Sequence, residues 1–132
     1  MKIFVDTNVL LRFFLEEQGE QFQSSKRLIT QIEEGIHQAQ TSSIVFLEVS
    51  YVLKSIYKIP SREIVEVLKS IRSLKNLKVI EKTNLDRALQ LHSKYNVKFS
   101  DCLIASQIPE NTVLITFDKE FNKIPGIKAK TP

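Results

Sequence analysis

Cysteine is nearly missing from this chain of 132 residues: Cys102 stands alone, which excludes an internal disulfide. Histidine is scarce too, and His37 and His92 have no metal-ligand spacing to one another or to the cysteine. Both histidines read as structural or surface residues. No serine or cysteine hydrolase signature surrounds Cys102, so a nucleophilic thiol is not expected. A run of about twenty apolar residues and a secretory apolar segment are both lacking, so the expectation is a cytoplasmic protein with no membrane partner. Low-complexity linkers, internal repeats and breaks in composition are absent as well. Residues 1–132 therefore read as a single domain.

What is present is a sequence able to bury a core. Hydrophobic residues make up 42% of the chain, and a domain of this length buries roughly two-thirds of its unfolded surface. Nineteen Lys and Arg against fifteen Asp and Glu give a net charge of +4, an excess that suits a polyanionic partner without establishing one. Strand and helix patterns alternate along the chain. "KIFV" reads as a buried strand and "TNVLLRFFLEE" as a helix capped by Thr7 or Asn8. Residues 20–35 place Phe22, Leu28, Ile29 and Ile32 on one helical face that Gly35 ends. "QAQTS" is a weak strand, after which Ser42 or Ser43 caps a helix over "IVFLEVSYVLKSIYKI" that stops before Pro60. Ser61 caps the next helix, with Ile64, Val65, Leu68 and Ile71 at helical spacing. "LKVIE" is a strand, "NLDRALQLHSKY" a helix with Leu85, Ala88, Leu89 and Leu91 inward, and "DCLIASQI" a short helix capped by Ser100. "TVLITF" is a strong strand and "GIKAK" a possible edge strand. This alternation predicts an α/β fold with a mainly parallel sheet covered by helices on both faces. In such sheets ligands bind at the carboxyl ends of the strands.

Four acids stand out against that plan. Asp6 follows the first strand directly and precedes the apolar run Val9-Leu10-Leu11, so a charge lies between two segments that favour burial. Asp118 follows the last strong strand and would share its edge. Asp101 opens a helix whose first turn is otherwise apolar, where free N–H groups favour an anion. Glu48 is the hardest to place at a solvated face, because eight of the ten residues from Ile44 to Leu53 are apolar. Taken singly, each acid has a plain structural reading as a cap, a turn residue or the rim of an apolar face. Together they fit a hard divalent cation, which satisfies several carboxylates that a fold brings together. Carboxylates about 5 Å apart repel by roughly 3 kcal/mol at an effective dielectric of 20, so a cation relieves strain that the empty cluster carries.

"FVDTNVLL", "SSIVFLEV", "FSDCLIAS" and "LITFDKEF", in that order and spacing, resemble the sequence blocks of the PIN domain family and, more narrowly, of VapC-type toxins from prokaryotic toxin–antitoxin pairs. The resemblance spans nearly the whole chain. It implies a PIN-like, Rossmann-like α/β/α sandwich and an endoribonuclease in which Asp6, Glu48, Asp101 and Asp118 hold Mg²⁺ or Mn²⁺. It also implies that Asn8 and Thr116 orient ligands or acids, that an antitoxin is a protein partner, and that the chain forms a homodimer. One departure concerns Glu120, which stands where some relatives carry a further aspartate of the site.

With four of the fifteen acids assigned to a metal, eleven remain against nineteen Lys and Arg, leaving +8 to attract RNA. Arg12, Lys98 and Lys119 are the substrate-binding candidates, chosen for their nearness in sequence to the four blocks. Phe13, Phe14, Phe22, Phe46 and Tyr51 read mostly as core, with room among them for a dimer face or antitoxin groove. Three other readings remain open: a housekeeping RNA-processing nuclease, a non-catalytic RNA-binding module, and a phosphohydrolase with Asp6 as nucleophile. The last resembles the haloacid dehalogenase-like family, which places a second acid where Asn8 stands.

Overall fold

The computed structural model describes residues 1–17 and 19–132. It has five strands, β1 (Lys2–Val5), β2 (Gln38–Ser42), β3 (Leu77–Ile80), β4 (Val113–Ile115) and β5 (Ala129–Lys130). Six helices connect them: α1 (Thr7–Leu15), α2 (Glu20–Glu33), α3 (Ser43–Ser55), α4 (Ser61–Arg72), α5 (Leu85–Tyr95) and α6 (Phe99–Ser106). A 3-10 turn, Lys119–Lys123, precedes β5. The strands lie in the order β3-β2-β1-β4-β5 and every neighbouring pair is parallel.

That order places a reversal next to β1. The chain moves outward from β1 through β2 to β3, then returns across the sheet to β4 and β5 on the other side. Because parallel crossovers are right-handed, the reversal sends the α5–α6 connection to the face opposite α1–α4. The outcome is the expected α/β/α sandwich. Ile3, Phe4 and Val5 of β1 are fully buried, as an unbroken apolar strand at the centre of a parallel sheet requires. They pack with Val45 and Val49 of α3, Ile104 of α6 and Leu114 of β4 in one continuous core. Phe4→Ala would cost about 3–5 kcal/mol at such a site.

Register carries this packing to the edge of the sheet. Val5 of β1 lies beside Ile115 of β4, and the Asp6 amide extends the ladder by donating to the Ile115 carbonyl at 3.0 Å. Asp6 and Thr116, the residues that follow, emerge side by side at the carboxyl ends of β1 and β4. This is the topological switch point of the sheet.

Several local expectations need correction. The first helix stops at Leu15, and Glu16 adopts a left-handed conformation (φ 51°). Helix α3 ends at Ser55 rather than running to Ile59. β4 covers only Val113–Ile115 of the expected 112–117; the Thr116 amide still donates to the Lys130 carbonyl, but the Phe117 amide turns to Asn8 Oδ1. Val65, Leu85 and Leu89 are about half exposed, because α4 and α5 each bury a narrower stripe than their apolar spacing suggested. Tyr51 is 67% exposed. Caps differ as well: Pro60 precedes α4, and Ser61 is its first helical residue. Gly35, by contrast, ends α2 as expected, with a φ of +80° that favours glycine.

Candidate functional site

Asp6 is the centre of the site. Its carboxylate is 3% exposed, and its two oxygens are treated unequally. Oδ2 accepts a 2.7 Å hydrogen bond from the Thr116 hydroxyl, while Oδ1 is buried with no hydrogen-bond partner. Burial pushes the carboxyl up to about 6; the Thr116 hydroxyl and the Thr7 amide oppose the rise, and the charges of Glu48 and Asp118 add to it. An unpaired, buried carboxylate oxygen is costly unless a cation or a proton meets it.

The other acids approach from three directions. Asp101, in the first turn of α6, is 4% exposed and is pushed up to about 7. Burial is the main cause, countered by the Lys98 ammonium and reinforced by Asp6, Glu48 and Asp118. Glu48 comes from the second turn of α3, where its side chain is 15% exposed. Its Oε1 accepts from the Thr7 hydroxyl at 2.8 Å and its Oε2 from the Ser100 hydroxyl at 3.0 Å. Asp118, half-buried after β4, uses Oδ1 to accept from the Glu120 amide at 2.9 Å, which caps the 3-10 turn.

Asn8 and Thr116 meet here. The Thr116 hydroxyl accepts from Asn8 Nδ2 at 3.3 Å and from the Asp118 amide at 2.9 Å while it donates to Asp6. Asn8 Oδ1 accepts from the Phe117 amide at 3.1 Å. One hydroxyl thus joins α1, the end of β1 and the segment after β4.

The three cationic candidates separate. Lys98 Nζ lies 3.5 Å from Glu48 Oε2. Arg12 is tied to Glu17 at 2.6 Å, and Lys119 is exposed in the 3-10 turn with no ion pair among the described residues. Glu120 pairs with Lys123 at 2.7 Å. His92 Nδ1 meets the Val97 carbonyl, and Cys102 is buried with its thiol pushed up by burial and by Asp101.

Thr7 and Ser100 are the residues of the candidate site that sequence reasoning assigned to another job. Both read as helix caps, yet neither caps: α1 begins after Asp6, α6 begins after Lys98, and both hydroxyls serve Glu48. Their signal was adjacency, since each flanks one of the acids directly.

Among the described residues, no group of three or more His, Cys, Asp or Glu side chains is placed to hold a metal ion by itself. Mg²⁺ does not require one, because it keeps several waters and takes one or two carboxylates together with substrate phosphate. The donor set is all oxygen, which suits Mg²⁺ or Mn²⁺. Asp6 Oδ1 is the atom that most needs such a partner.

The PIN domain family model matches residues 3–127. No curated protein matches the sequence. Solved structures share the fold across 99% of this chain and 98% of theirs. VapBC2 from Rickettsia felis, bound to a DNA fragment from its promoter, has a TM-score of 0.73 at 23% identity. DNA-bound VapBC from Salmonella typhimurium has 0.70 at 20%, and a toxin–antitoxin complex from Klebsiella pneumoniae 0.67 at 21%. At these identities the likeness is one of fold, and the match in sequence rests on the family model. By that match over nearly its whole length, the chain belongs to the PIN domain family.

Proposed function

We propose that this protein is a Mg²⁺- or Mn²⁺-dependent endoribonuclease, hydrolysing RNA phosphodiester bonds as the toxin of a toxin–antitoxin pair. The observation that carries this reading is the buried, unpartnered Asp6 Oδ1 at the sheet's switch point, with the charges of Glu48 and Asp118 acting on the same carboxylate. Asp6, Glu48 and Asp101 would hold the cation directly or through water, with Asp118 as a further ligand or a group orienting water. When bound, the cation would neutralise the acids, make a water more acidic and offset charge on the scissile phosphate.

The chain's own residues do the positioning. Thr116 fixes one oxygen of Asp6 and leaves the other free; Thr7 and Ser100 fix the plane of the Glu48 carboxylate. Ligands locked in this way lose little freedom on binding. The charge left outside the four acids is +8, which favours a polyanion, and Lys98 and Lys119 are exposed near the acids in sequence. Purified protein should cut total cellular RNA into discrete fragments with Mg²⁺ or Mn²⁺, but not in EDTA or as Asp101→Asn. Intact RNA under every condition would overturn the nuclease reading.

The toxin reading draws support from the shared fold with VapBC and toxin–antitoxin complexes. Leu47 and Tyr51, one turn apart on α3 and about two-thirds exposed, offer apolar surface to an antitoxin or to a second copy of the chain. A cytoplasmic location goes with an RNA target, and no helix among the described residues is long and apolar enough to cross a membrane. Expression of the wild type without antitoxin should arrest growth, and expression of Asp101→Asn should not. Equal growth of the two would remove the toxin role, and sedimentation of the purified protein as a monomer would remove the homodimer.

A further inference from the structure

Glu48 is held by three donors of unequal quality. The Thr7 and Ser100 hydroxyls bind one oxygen each at 2.8 and 3.0 Å, and Lys98 Nζ approaches Oε2 at 3.5 Å. The Lys98 side chain is 64% exposed, against 15% for Glu48, so its ammonium reaches inward from solvent. A carboxylate offers about four lone-pair sites, of which the hydroxyls occupy two. The lysine contact is therefore the one that can be surrendered without disturbing how Glu48 is oriented.

Lys98 also stands alone in this role. Among the described residues it is the cationic side chain in ion-pair contact with any of the four acids; Arg12 and Lys123 are committed to Glu17 and Glu120. Besides Glu48, the charges of Asp101 and Asp118 act on it. A compact ammonium on a flexible stem gains little from one exposed pair and is free to leave.

Resting on the metal-dependent reading above, we infer that Lys98 is the resident counter-ion of the acidic site, an internal ammonium that a divalent cation must displace from Glu48. It thereby sets the metal concentration at which the site fills. The competition is electrostatic, so removing the charge while keeping the side chain's bulk should favour the metal.

The test titrates metal-free wild type, Lys98→Met and Lys98→Arg with Mn²⁺ alone, following heat of binding in the absence of RNA. Lys98→Met is expected to bind Mn²⁺ about two- to fivefold more tightly, in line with the strength of an exposed ion pair. Lys98→Arg, which keeps the charge, should stay close to wild type. Equal or weaker binding by Lys98→Met would overturn the inference, as would Lys98→Arg binding as tightly as Lys98→Met. Normal uptake that ignores Lys98→Met would sink this inference alone, whereas no uptake by wild type would sink the metal reading as well.

Discussion

The Thr116 hydroxyl donates a 2.7 Å hydrogen bond to Asp6 Oδ2, joining two residues 110 positions apart in the chain. The Thr116 hydroxyl oxygen in turn accepts from the Asp118 amide and from Asn8 Nδ2. Both residues are about 3% exposed, so water is not at hand to replace the bond. Thr116→Val keeps the shape and deletes the hydroxyl, leaving Asp6 Oδ2 without the hydroxyl that binds it. It should cost about 1–3 kcal/mol. Thr116→Ser should recover most of that. Urea unfolding of the three proteins decides the matter, and a Thr116→Val midpoint equal to wild type would show that Asp6 does not depend on the hydroxyl.

Thr7 and Ser100 act on the site through Glu48. Loss of a hydrogen bond that orients a metal ligand commonly lowers metal affinity or activity about 10- to 100-fold. Thr7→Val and Ser100→Ala should each fall in that range for metal-dependent RNA cleavage, with the fold intact by circular dichroism. Because both hydroxyls hold the same carboxylate, the double variant should lose less than the product of the single effects. Multiplicative losses would mean that the two residues act separately.

Much of this site was legible in the sequence, and the reason differs from residue to residue. Asp6 was conspicuous because a charge between two buried runs has few places to go. Glu48 was conspicuous because its helix offers no polar face. The hydroxyls were not, since a Thr or Ser at a helix start has a ready local role as a cap, and only the packing of α1, α3 and α6 redirects it. Helical spacing likewise marked Leu85 and Leu89 as inward, though spacing records periodicity and not how wide a stripe the neighbours cover. The parallel sheet followed from alternation, whereas the pairing of β1 with β4 is a long-range contact that no local pattern reports.

Divalent metal should stabilise the folded protein, because only the fold assembles the acids. At a metal concentration 100 times the dissociation constant, the gain is about 2.7 kcal/mol. Melting curves with Mg²⁺, with Mn²⁺ and in EDTA should show the rise, and Asp6→Asn should shrink it by removing the unpartnered oxygen. An undiminished shift in Asp6→Asn would place the metal elsewhere on the protein.

The raised carboxyls make a further prediction whose sign runs against the usual behaviour of acidic residues. Asp6 and Asp101 are pushed up to about 6 and about 7, chiefly by burial, from an ordinary value of 3.8. The folded protein therefore holds protons that the unfolded chain has released over the interval from about pH 4 to about pH 7. Where the folded state binds more protons, stability falls as pH rises. The contribution of these two groups is thus fully present below pH 4 and lost by the time both ionise in the fold, a decline on the order of a few kcal/mol. In EDTA the urea midpoint should fall between pH 4.5 and pH 8, and Asp6→Asn, with no charge to bury, should flatten that fall. Saturating Mn²⁺ should oppose it, since the cation favours the ionised acids that burial penalises. A wild-type midpoint that stays level or rises over this range in EDTA would show that the two carboxyls ionise in the fold as readily as in the unfolded chain.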